Sequence, residues 1–99
     1  MSAPQKNDVL AILSRHKPLF VERYGVTDLG VFGSVARDEA KPDSDVDVVV
    51  RMRDPKLFFM VHMKETLEEA FQRPVDIVHY RDKMNPFLKK RIDRDAVYV

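Results

Sequence analysis

Ninety-nine residues with a net charge of +1 are enough for one domain, spanning residues 1–99, with a small core. An apolar fraction of 44% and a charged fraction of 33% fit a soluble globular chain. The near-neutral charge argues against direct nucleic-acid binding and against an anionic membrane surface, and the lack of cysteine excludes disulfides and thiolate metal sites.

The first stretch, Met1 to Asp8, lacks the apolar core of a signal peptide, and no later run approaches the roughly 20 apolar residues of a membrane span. No membrane is expected, and a reducing cytoplasm fits the absent cysteine. From about residue 5 to 23, Val9, Ile12, Leu13, His16 and Phe20 recur at helical spacing. Pro18 is expected to kink this helix or start a second short one, and Gly25 to stop it. Residues 26–33 read as a strand with Leu29 and Val31 on one face and Phe32 on the other. A short helix follows from Val35 to Glu39, then a turn over 40–44 in which Ser44 acts as a cap. Asp45 to Met52 is the clearest strand, with Val46, Val48 and Val50 on one face.

Asp54-Pro55 reads as a helix cap with proline at the first helical position. That helix runs to about Gln72 and buries Met60, Met63, Leu67 and Phe71. Its leftover Leu57, Phe58 and Val61 form an apolar patch for a partner or a second copy. A strand follows over 74–80, and Asn85-Pro86 starts a last helix to about Arg94 with Phe87, Leu88 and Ile92 inward. Its Lys89, Lys90, Arg91 and Arg94 read as a solvated basic helix end. Residues 96–99 close the fold as a short strand or packed tail. Together these predict an α/β (α+β) domain, a small mixed sheet with helices packed mainly on one face.

Chemistry concentrates in two places. Asp45 and Asp47 alternate in an apolar strand and so share a face. Two like charges that close need a counter-charge, and hard oxygen donors suit Mg²⁺. Asp76, isolated in the later strand, would add a third acid, and three acids can hold two Mg²⁺ ions for an in-line phosphoryl displacement. Ten residues before Asp45, the Gly33-Ser34 turn lets backbone approach a phosphate, and Arg37, one helical turn on, could reach a phosphate oxygen or pair with Asp38 or Glu39. The histidines carry less: His16 is a partly covered core residue, His62 exposed, and His79 faces away from Asp76.

Gly33-Ser34, ten residues, Asp45-Val46-Asp47 and a later strand acid at Asp76 resemble the signature of the DNA polymerase beta-like nucleotidyltransferase superfamily. The short length and the wording around Gly33-Ser34-Val35-Ala36-Arg37 are similar to its minimal branch in prokaryotes. The resemblance implies that fold, and ATP as substrate. It implies nucleotide binding by Gly33, Ser34 and Arg37, and metal binding and catalysis by Asp45, Asp47 and Asp76. It further implies a HEPN-domain RNase toxin as partner, AMP transfer to a tyrosine of that toxin, an antitoxin role, and a possible oligomer with the partner. Two alternatives stand beside it: a non-catalytic antitoxin that neutralises by binding, and a small-molecule, antibiotic-type nucleotidyltransferase.

Overall fold

The chain runs α1 (Lys6–Tyr24), β1 (Val26–Phe32), α2 (Gly33–Ala36), β2 (Val46–Met52), α3 (Leu57–Phe71), β3 (Val75–His79), α4 (Pro86–Asp95) and β4 (Val97–Tyr98). This computed structural model describes residues 3–99. Met1 and Ser2, part of the N-terminal stretch read above, lie outside the described residues. The four strands form one mixed sheet in the order β3-β2-β1-β4. β1 pairs antiparallel with β2 and β4, whereas β2 and β3 run parallel and are joined by α3 as a crossover.

Alternation divides β2 between two cores. Val46, Val48, Val50 and Met52 pack into a cluster with Val9, Leu13 and Phe20 of α1 and Met63 and Leu67 of α3. Val49 points the other way, against Phe32 and Ile92 of α4. Two of the three long helices therefore cover one face, as expected, and α4 covers part of the other. Apolar contact on both faces explains why β2 is almost continuously valine. Asp47, half-buried, and Arg51, exposed, are its charged exceptions.

Local signals mostly match the elements they announce. Gly25 ends α1 in the left-handed region (φ 67°), and its N–H donates to the Val21 carbonyl at 3.2 Å. Asn85 caps α4, its Oδ1 accepting from the Phe87 and Leu88 N–H groups at 2.9 and 3.2 Å. Ser44 closes the turn before β2, accepting the Lys41 N–H at 2.8 Å.

α1 continues through Pro18 as one helix, with Leu13 before it and Phe20 after it both fully buried, so no second helix starts there. Two expectations are corrected. α3 starts at Leu57 rather than beside Asp54-Pro55, and Asp54 pairs with Lys56 at 3.5 Å instead of capping. Phe87 lies 79% exposed at the start of α4, whose inward residues are Ile92 and, half-buried, Leu88. Helical periodicity identified the stripe of α4 but not where its first turn overhangs the sheet.

Candidate active site

β1 and β2 place Phe32 opposite Asp47, and β2 and β3 place Asp47 opposite Asp76. Phe32, Asp47 and Asp76 thus form one row across the sheet. By alternation the row lies on the α4 face, since Val49 and Val78, two residues on, pack with Ile92. Asp45 immediately precedes β2 and is exposed, so the strand starts one residue later than expected. Asp76 is exposed and Asp47 half-buried.

The turn after β1 is built around Asp47. Gly33 has φ +73°, and a Cβ there would run into the Asp47 carboxylate, with Cγ at 3.1 Å. Glycine is required twice, for backbone conformation and for space. Ser34 follows, half-buried, with its carbonyl accepting the Glu39 N–H at 2.8 Å. Val35 and Ala36 bury into the core and fix α2 in place.

Burial raises the pKa of Asp47 above its ordinary value, the negative charge of Asp76 raises it further, Arg91 opposes, Asp45 raises it again, and Arg37 opposes most weakly. The three carboxylates therefore share one electrostatic field. They do not converge: among the described residues no three His, Cys, Asp or Glu side chains are gathered as a metal-binding group.

Arg37 is engaged elsewhere. Its Nη1 donates to Asp95 Oδ2 at 2.6 Å and its Nε to Glu39 Oε2 at 3.2 Å. Asp95 also accepts from Arg94 Nε at 2.8 Å, its side chain is only 4% exposed, and its pKa is lowered to about 2. Of the two pairings open for Arg37 in the sequence, Glu39 forms, together with Asp95 from the far end of the chain.

Arg91 is exposed, as expected of a basic helix end. Its guanidinium also lies 5.9 Å from the Phe32 ring centroid and acts on Asp47. Its position three residues after Leu88 and beside Ile92 was the available signal. It became informative only once α4 was placed on the carboxylate face. The other side-chain expectations hold: His16 is half-buried, with Nδ1 2.8 Å from the Ile12 carbonyl, and His62 is exposed. His79 lies on the face opposite Asp76, where burial, Arg81 and Arg51 keep its pKa below the ordinary value.

One mixed sheet thus seats the Gly33 turn against Asp47 and sets Asp47 beside Asp76. Residues 13–99 match the family model of the nucleotidyltransferase domain, and the chain belongs to that family and is a nucleotidyltransferase. It is similar to the protein adenylyltransferase MntA of Thermococcus cleftensis, 39% identical over 93 residues, which is 93% of either chain. A solved structure described as a candidate minimal nucleotidyltransferase superposes at TM-score 0.77 and 33% identity over 95% of each chain. A chain in the solved complex of a tri-AMPylated Shewanella oneidensis HEPN toxin with an MNT antitoxin shares the fold at TM-score 0.60 and 18% identity, over 94% of this chain and 66% of that one.

Proposed function

We propose that this protein is an Mg²⁺-dependent protein adenylyltransferase. It moves AMP from ATP to a hydroxyl, a tyrosine, of a HEPN-domain RNase toxin and so acts as its antitoxin. The observation that carries this reading is the row that brings Asp47 beside Asp76 and seats Gly33 against the Asp47 carboxylate. The adenylyltransferase among its relatives and the fold shared with a toxin–antitoxin complex support it.

The donor set fits magnesium. Asp45, Asp47 and Asp76 offer only carboxylate oxygens, and the pKa of Asp47 is raised first by burial and then by the negative charge of Asp76, both of which a bound cation would offset. These three residues would hold one or two Mg²⁺ ions, which when bound would acidify the acceptor hydroxyl and neutralise the departing pyrophosphate. Gly33 and Ser34 would hold the phosphates by backbone N–H and hydroxyl groups. Arg37 would join them only by releasing Asp95 or Glu39. In the transfer, the acceptor oxygen bonds to the α-phosphorus, the bond from that phosphorus to the bridging oxygen breaks, and pyrophosphate leaves. Asp76, exposed on the row, would help take the hydroxyl proton.

One observation favours a second reading, neutralisation by occlusion. Leu57, Phe58 and Val61 of α3 are 81%, 68% and 43% exposed, an apolar surface away from the carboxylates. Intact-mass measurement separates the two. The protein is incubated with ATP, Mg²⁺ and a HEPN-domain protein of the same organism, alongside Asp45→Asn. Mass gained in AMP steps by the HEPN protein, and lost with Asp45→Asn, is expected. An unmodified HEPN protein silenced equally by both forms would establish occlusion.

A further inference from the structure

Two arginines act on Asp47, and they differ in what else they do. Arg37 is held by Asp95 and Glu39. Its charge is already balanced, and a ligand would have to displace a carboxylate to reach it. Arg91 makes no hydrogen bond or ion pair among the described residues; its contact is the Phe32 ring at 5.9 Å. Phe32 is the residue opposite Asp47 and immediately before Gly33. Arg91 is exposed, so its N–H fork is open to a ligand beside the site. Arg94 and Arg51 do not compete: the first is bound to Asp95, and the second lies 4.8 Å over Tyr80.

We infer that Arg91 is a nucleotide-binding residue, the cation on α4 that meets the polyphosphate when ATP occupies the Gly33–Asp47 site. The inference rests on the nucleotidyl-transfer reading and adds a residue to it. Its role follows from charge and placement together. The row Asp47–Asp76 repels a polyanion, and the guanidinium of Arg91, unpaired among the described residues, offsets that repulsion and can grip two oxygens at once. Arg37, in this arrangement, joins the end of α2 to the end of α4 and so positions the Gly33-Ser34 turn.

The test is ATP affinity by calorimetry at one fixed Mg²⁺ concentration, for wild type, Arg91→Ala, Arg91→Gln and Lys90→Ala. Gln keeps a polar side chain without the charge, so it reports on phosphate recognition if the Ala variant folds poorly. Lys90→Ala removes one positive charge from an exposed position of the same helix. Both Arg91 variants are expected to bind ATP about ten- to a hundredfold more weakly, the usual worth of a charged hydrogen bond, with Lys90→Ala within about threefold of wild type. The slope of affinity against salt should also be shallower for Arg91→Gln. Arg91→Gln binding ATP as tightly as Lys90→Ala would overturn the assignment and leave the functional reading intact. Wild-type protein that binds no ATP would overturn both.

Discussion

Asp47 and Asp95 show how one residue type is used in opposite ways. Asp47 is half-buried beside Asp76 and Asp45, and its pKa is raised. A raised carboxylate binds its proton more tightly folded than unfolded, so it lowers stability once pH exceeds the folded value. The cost vanishes below the ordinary value of 3.8. Asp47→Asn is therefore expected to abolish AMP transfer yet melt higher than wild type near pH 7 in EDTA. The gain should shrink as the scans move to pH 4. Gly33 is the second test at this scale. Gly33→Ala meets the left-handed penalty of about 1–2 kcal/mol and must also push the Asp47 carboxylate aside. Urea unfolding should show at least that loss, and transfer should fall with it.

Beyond the backbone ladder of the sheet, side-chain polar contacts tie particular elements together. The Arg37–Asp95 pair joins the C-terminal end of α2 to that of α4 across most of the chain. Hydrogen bonds from Arg94 and Arg37 lower the Asp95 pKa to about 2, against the opposing effect of burial. A lowered carboxylate contributes stability that is complete above its unfolded value and lost as pH falls through the folded one. Thermal scans should show a loss between about pH 4 and pH 2 that is absent in Asp95→Asn. The two aspartates thus carry opposite slopes, and the pair of variants separates them. At the other edge, the Val75 N–H donates to Glu68 Oε2 at 3.0 Å, tying the end of α3 to the start of the strand that carries Asp76.

At the scale of the whole molecule, the α1–α3 layer carries most of the core. Leu67 is fully buried between that layer and the sheet. Leu67→Ala is expected to cost about 2–5 kcal/mol in urea unfolding. It lies on the sheet face opposite the carboxylates, so surviving folded protein should keep its ATP affinity. No helix among the described residues is long and apolar enough to cross a membrane. An open apolar groove of about 600 Å³ runs beside Ser14, Pro18, Val21 and Val99, also on the α1 side. Much of this layout was legible beforehand. The valines of β2, the stripes of α1 and α3 and the Asn85 cap each state their role locally, through period or turn chemistry. Phe87 and the start of α3 were not legible. Where a helix turn overhangs, or where a cap forgoes its bond, depends on neighbours distant in sequence.

The sequence by itself determined the reactive pieces. The apolar strand pattern set Asp47 as its charged exception with Asp45 just ahead of it, and the Gly33-Ser34 turn announced close backbone approach, since both are properties of adjacent residues. Tertiary structure alone decided what surrounds them. Register brought Asp76 beside Asp47, and chain folding set Asp95 against Arg37 and laid α4 over the carboxylate face with Arg91 beside Phe32. Those contacts join residues far apart along the chain, and no periodicity encodes which two distant segments meet.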